Sequence, residues 1–275
     1  MSTVTIQPQT RLVDGLTIRY AEAGRDGAPT VLLTNPWPES LYAFAALWDT
    51  LAADFHITAI DLPGFGHSQG RPELYSPLAM AGFLARLVDE WELGAPHLVS
   101  PDVGCSAALL LAAEHPGMVA SLTVGSGGTA FPLQVSGALK DIIEASDPAV
   151  FGQADGRDVV AGVVDAIPGH PLPAEVREDY LSAYEGDRFV RSTAYVRNYP
   201  HDLPILAERL GSITAPVQII TGGRDPLVPT ANAEYLRDRL PGSRLHILDA
   251  GHFVWEEAAK EYTDLVAAWL HERSR

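Results

Sequence analysis

The chain has 275 residues, enough for one large core with an inserted segment. Asp and Glu total 35 against 19 Lys and Arg, a net charge of -16, and such a surface repels phosphate backbones and argues against nucleic acid as a partner. One cysteine excludes an intrachain disulfide, no apolar run reaches the length of a membrane span, and "MSTVTIQPQTRLVDG" lacks the pattern of a leader, so the expectation is a soluble cytoplasmic protein.

Taken in chain order, "TRLVDGLTIRYAEAG" predicts a hairpin turning at Asp14-Gly15. "TVLLTN" (30–35) is a short continuous apolar run, as expected of a strand buried on both faces. "HITAID" (56–61), "PHLVS" (96–100), "SLTVGS" (121–126), "PVQIITG" (216–222) and "RLHILDA" (244–250) repeat it. Helical patterns at 40–53, 77–91, 104–114, 230–239 and 254–270 alternate with these runs. That alternation predicts an α/β fold, a mostly parallel sheet with helices on both faces. From Phe131 to about Pro204 no strand pattern occurs; "GALKDIIEAS", "AEVREDYLSAYEG" and "DRFVRSTAYVRNYP" are helical and broken by prolines. The expected organisation is a core of residues 1–130 and 205–275 with a helical cap, or lid, of residues 131–204 over the C-terminal edge of the sheet, where it would exclude water from a site.

"HLVSPDVGCSAALLLAAEHP" (97–116) combines a strand, a tight turn and a helix, with Asp102 at the turn between the small residues Ser100 and Gly104. A nucleophile on such a turn projects above the sheet at a helix N-terminus, where the dipole favours an anion. The plainer reading is that Asp102 caps the helix, since Asp is a favoured N-cap. Ser106 in "GCSAA" is a competing nucleophile, but an elbow there would put Pro101 and Gly104 into the preceding strand, and proline cannot donate to a central ladder.

Three further stretches complete a catalytic constellation in the order nucleophile, acid, histidine. "DAGHFVWEE" places His252 just after a strand and behind Gly251. "ITGGRDPLVP" places Asp225 where an acid could orient that histidine, with Asp249 as a fallback. "NPWPES" (35–40) follows the first buried strand. Its two prolines carry no N–H, so the amides of Trp37 and of Val103 are the expected oxyanion pair. No metal cluster is evident, "GSGGTA" lacks the following lysine of a phosphate loop, and no cofactor is expected.

With these residues in place, the whole chain resembles α/β-hydrolase fold proteins with a cap, through "DLPGFGHS" (61–68), "GGRDPLVP" (222–229) and "AGH" (250–252). The "HLVSPDVG" elbow resembles the aspartate branch of that superfamily: epoxide hydrolases, haloalkane dehalogenases and fluoroacetate dehalogenases. "NPWPES" resembles the H-G-W-P-E-S loop of epoxide hydrolases. The resemblance implies that Asp102 attacks an electrophilic carbon to give an alkyl ester, which water activated by His252 and Asp225 then hydrolyses. A carboxylate suits this chemistry, because displacement by a serine at saturated carbon would leave an ether.

The chain departs from the family pattern at Asn35 and Pro36, which replace His-Gly, at Pro101, and at Val103, which replaces the Trp or Arg that binds a halide or a substrate carboxylate. Epoxide hydrolases protonate the opening oxygen with two cap tyrosines, the later in W-Y-R-N. Here the stretch is "AYVRNYP", with Val196 in the tyrosine slot, so the candidate donors are Tyr195, Tyr180, Tyr184 and Tyr199. The leading expectation is an epoxide hydrolase converting a small or medium organic epoxide to a diol. The alternatives are a haloalkane or haloacid dehalogenase with the same triad, and an esterase-like or ligand-binding homologue. The expected partners are a small organic molecule and water, without nucleic acid or membrane, and a homodimer is left open.

Overall fold

The computed structural model describes residues 6–168 and 171–274; residues 1–5, 169, 170 and 275, which fall within the expected core and cap spans, lie outside the described residues. Eight strands form one sheet: β1 (Gln9–Val13), β2 (Leu16–Gly24), β3 (Thr30–Thr34), β4 (His56–Ile60), β5 (His97–Pro101), β6 (Ser121–Gly125), β7 (Val217–Gly222) and β8 (Arg244–Leu248). The order across the sheet is β1-β2-β4-β3-β5-β6-β7-β8. β2 is antiparallel to β1 and β4, and every other pairing is parallel.

The buried strands alternate residues between two hydrophobic clusters, as a period of two requires. Leu32, Leu98 and Ile219 enter one cluster. Val31, Leu33, Val99 and Ile220 enter the other. The first face is covered by α2 (Pro77–Glu90), α3 (Val103–Glu114) and α9 (Ala231–Arg239), the second by α1 (Ala45–Ala52) and α11 (Ala259–Arg273). Helix α3 is buried from Val103 to Ala113, so its sequence is apolar all round rather than on one stripe.

Between β6 and β7 the chain forms α4 (Gly137–Glu144), α5 (Gly156–Val164), α6 (Ala174–Ser182), α7 (Arg188–Arg197) and α8 (Tyr199–Arg209). Pro204 lies inside α8, and the chain returns to the sheet only after Arg209. One flank of this insertion is pinned by charge. Arg19 of β2 pairs with Asp61 at 3.2 Å and with Asp179 of α6 at 2.5 Å, and Asp179 also accepts from Ser40 at 2.6 Å. Burial alone would raise the Asp179 carboxyl, but His67, Arg19 and Ser40 hold it down at about 2. The pattern at 254–270 is two helices, a short α10 (Val254–Glu257) and α11, separated at Ala258, whose φ of -119° and ψ of 39° are not helical. Likewise, 40–53 divides into a 3₁₀ turn at Leu41–Phe44 and α1. Among the described residues no helix is long and apolar enough to cross a membrane.

The strand order reverses between β3 and β5, and the crevice beyond the C-terminal ends of parallel strands at such a point is where α/β sheets bind ligands. The loops leaving β3, β5, β7 and β8 carry Trp37, Asp102, Asp225 and His252 to that crevice.

Candidate active site

Asp102 sits at the junction of β5 and α3 with φ 51° and ψ -122°, a conformation that a non-glycine residue holds only when its surroundings enforce it. Its N–H donates to the Gly125 carbonyl at 2.9 Å and its carbonyl accepts from the Cys105 N–H at 3.0 Å. The turn is tight enough that a Cβ on Gly104 would lie 2.4 Å from both Ser100 Oγ and Thr34 Oγ1, and a Cβ on Gly127 would lie 2.4 Å from the Asp102 carbonyl oxygen. Pro101 is the last residue of β5 and lies beyond the stretch paired with β3, so its missing N–H removes no ladder bond there.

Although Asp102 occupies the N-cap position, its side chain makes no capping hydrogen bond to the helix. The carboxylate turns into the crevice instead. Oδ2 accepts from the Trp37 N–H at 2.6 Å, and Oδ1 lies 3.5 Å from His252 Nε2. His252 Nδ1 is bonded to Asp225 Oδ2 at 2.7 Å. The other oxygen of Asp225 accepts from the N–H groups of Leu227 and Val228 at 2.8 and 2.9 Å, which fixes the acid. Burial works against a charged His252 ring, but hydrogen bonds and Coulomb attraction from Asp102 and Asp225 outweigh it and lift its pKa to about 10. Asp249, the fallback acid, points to solvent beside Arg224.

The second expected oxyanion donor, Val103, opens α3, where the N–H groups of the first turn have no intrahelical acceptor. Ser106 lies fully buried in α3 and donates to the Gly128 carbonyl at 2.5 Å, which removes it as a nucleophile. Burial pushes the Cys105 thiol up to about 12, so it is an inert packing residue.

A cavity of about 120 Å³ opens over Asp102. Asp102, His252, Trp37 and Tyr199 line it, and its remaining wall includes Leu139, Ile142, Val159, Val196, Leu227 and Phe253. No arginine or lysine lines it among the described residues.

The four tyrosines named from sequence do not converge here. Tyr195 donates to the Val103 carbonyl at 2.7 Å, holding the start of α3 rather than facing the cavity. Tyr180 donates to Glu256 Oε1 at 3.2 Å, and the Tyr184 hydroxyl accepts from the Gly66 N–H at 3.4 Å. Both rings pack in the cluster on the α1–α11 face and neither lines the cavity. These three are therefore corrected as proton donors: their hydroxyls serve packing contacts. Tyr199 alone of the four borders the cavity. The tyrosine slot of "AYVRNYP" does reach the cavity, but it presents the methyl groups of Val196.

Sequence reasoning missed Ser192 of α7, which accepts from Trp37 Nε1 at 2.9 Å, and Phe189, stacked on Trp37 at 5.4 Å between centroids. It also missed Glu39 and Glu256, buried carboxyls close in sequence to Trp37 and His252. The signal for Glu39 was present in "WPES", and that for Glu256 in "FVWEE".

A family model described as the alpha/beta hydrolase fold matches residues 29–259. A 2-hydroxy-6-oxononadienedioate/2-hydroxy-6-oxononatrienedioate hydrolase of Klebsiella pneumoniae is 27% identical, over 97% of this chain and 99% of its own. A haloalkane dehalogenase of Mycobacterium marinum is 26% identical, over 92% of this chain and 89% of its own. The crystal structure of haloalkane dehalogenase DbeA from Bradyrhizobium elkani superposes with a TM-score of 0.82 at 24% identity, covering 98% of each chain, which is a likeness of fold.

Proposed function

This chain belongs to the alpha/beta hydrolase fold family, and we propose that it is a hydrolase working through a covalent alkyl ester at Asp102, with a small or medium apolar epoxide as substrate and a diol as product. The observation that carries this reading is the Asp102 carboxylate itself, aimed out of the elbow at an apolar cavity, with one oxygen on the Trp37 amide and the other facing His252. Residues 131–204 act in it as the lid that keeps the cavity dry.

In the first step Asp102 attacks an epoxide carbon. The carbon–oxygen bond breaks, and the leaving oxygen takes the proton of Tyr199, the cap tyrosine at the cavity. Burial and neighbouring acidic groups raise the Tyr199 phenol well above its ordinary value, so it rests protonated. Esterification removes the Asp102 charge, one of the influences that hold His252 protonated, so the imidazolium gives its proton to the phenolate and becomes a base only once the ester exists. Neutral His252 then takes a proton from water as the water oxygen adds to the ester carbonyl, where the Trp37 and Val103 amides stabilise the developing oxyanion. Collapse releases the alkoxide, which takes the proton of the new Asp102 carboxyl. This leaves the diol, ionised Asp102, charged His252 and neutral Tyr199, as at the start.

Dehalogenation needs donors for the departing halide. Val103 offers no side-chain donor, and the Trp37 indole N–H is held by Ser192. Matched pairs of terminal epoxides and haloalkanes carrying the same apolar group test the choice. Diol formation without halide release is expected, and halide release from the haloalkane member alone would overturn it.

A further inference from the structure

Behind the catalytic loops two carboxyl groups are buried against each other. We infer that Glu39 and Glu256 hold one proton between them and thereby clamp the Trp37 loop to the His252 loop, as a positioning pair for the site's oxyanion amide and its base. Glu39 is fully buried and Glu256 nearly so. Glu39 Oε2 accepts from Trp255 Nε1 at 2.7 Å, and Glu256 Oε1 accepts from the Tyr180 hydroxyl at 3.2 Å. The other two oxygens, Glu39 Oε1 and Glu256 Oε2, are buried without a donor from elsewhere in the protein. The two side chains lie close enough for each to act on the other's ionisation. Two ionised carboxylates have no hydrogen to share, and each orphan oxygen would bear the cost of an unpaired buried acceptor next to a like charge. One proton turns the same contact into an acid–carboxylate hydrogen bond and satisfies both oxygens.

The surroundings favour retaining that proton. Burial first, and then the charge of the partner, push Glu39 well above its ordinary value. Burial lifts Glu256 to about 7. The titratable groups that act on the pair are Tyr180 from α6, Asp102 from the elbow and Glu257 next along α10, all of them acids. The His252 imidazolium shares the loop, its ring 6.3 Å from that of Trp255.

Both ends of the pair are rigidly tied to the site. Glu39 is separated from Trp37 only by Pro38, and its carbonyl accepts from Asn35 Nδ2 at 3.1 Å, whose Oδ1 in turn takes the Leu62 N–H at 2.7 Å. Glu256 lies in α10, four residues beyond His252, and the Gly251 N–H is held by Glu257 Oε2 at 2.8 Å. Displacing Glu39 from Glu256 would therefore move the Trp37 amide relative to His252.

The sign of the pH dependence follows from the raised carboxyl. Its stabilising contribution is complete below its ordinary value of 4.5 and is lost as pH rises through about 7. His252 adds a separate fall between 6.5 and about 10. In Glu256→Gln the amide oxygen still accepts from Tyr180 and the amide nitrogen donates to Glu39, so the contact persists without a titrating proton. Thermal midpoints across this range are expected to lose the lower fall in Glu256→Gln and to keep the upper one. Glu256→Ala is expected to lower the midpoint at every pH. The infrared carbonyl band of a protonated carboxyl is expected in the wild type at about pH 6, above the range of ordinary carboxyls, and to vanish in Glu256→Gln and in Glu39→Gln. The Trp37 amide resonance is expected to titrate with the pair in the wild type and to stay fixed in Glu256→Gln. A wild type without the band, an unchanged pH profile in Glu256→Gln, or a Trp37 resonance indifferent to the pair's titration would overturn the inference. None of these readouts uses a substrate, so they are independent of the chemistry proposed at Asp102.

Discussion

Asp102→Ala is expected to abolish turnover of any compound the wild type hydrolyses, by about 10⁶-fold, the scale on which a triad enzyme loses activity with its nucleophile. The substitution removes the attacking atom, and no neighbour can replace it. Ser106 is bonded to the Gly128 carbonyl inside α3, and the Cys105 thiol is buried and protonated. The fold is expected to survive, because the Asp102 side chain makes no capping bond to α3 and the turn is held through its backbone by Gly125 and Cys105. Steady-state rates with a melting curve for each protein check this. A folded Asp102→Ala that retains turnover would place the nucleophile elsewhere and favour the esterase-like or binding reading.

His252→Ala is expected to fail at the opposite half of the cycle. Asp102 keeps the Trp37 amide on Oδ2 and can still attack, but no base remains to activate water against the ester. Turnover falls by about 10⁶-fold, as when a triad histidine is removed, while the first step proceeds. Intact-protein mass after incubation with substrate is therefore expected to show a stable adduct that maps to Asp102. For an epoxide the gain equals the whole molecule, since ring opening loses nothing. A gain short by one hydrogen halide would indicate dehalogenation, and an acyl mass on a serine would exclude the aspartate chemistry.

The proposed triad was legible in the sequence because each member sits in the loop that follows a strand, where local turn chemistry shows its position. Asp102 follows β5, Asp225 follows β7, and His252 follows β8. The sheet and its flanking helices were legible for a related reason: a period of two or an apolar run shows in any window of a few residues. The proposed proton donor was not legible. Successive residues on a helix are rotated by about 100°. The step from Tyr195 to Val196 therefore decides which side chain meets α3 and which meets the cavity, and that orientation depends on how α7 packs. The Glu39–Glu256 pair was hidden differently, since its members come from opposite ends of the chain and meet only when the loops beyond β3 and β8 converge. The engagement of the Trp37 indole by Ser192 likewise depends on the placement of α7 over the crevice.

A single turnover in heavy-oxygen water, with enzyme in excess over an epoxide substrate, tests the covalent ester most directly. If Asp102 forms the ester and water attacks its carbonyl, the label enters the peptide carrying Asp102 and the first equivalent of diol is unlabelled. Label in that first diol, with an unlabelled Asp102 peptide, would mean that water attacks the substrate itself and would contradict the account.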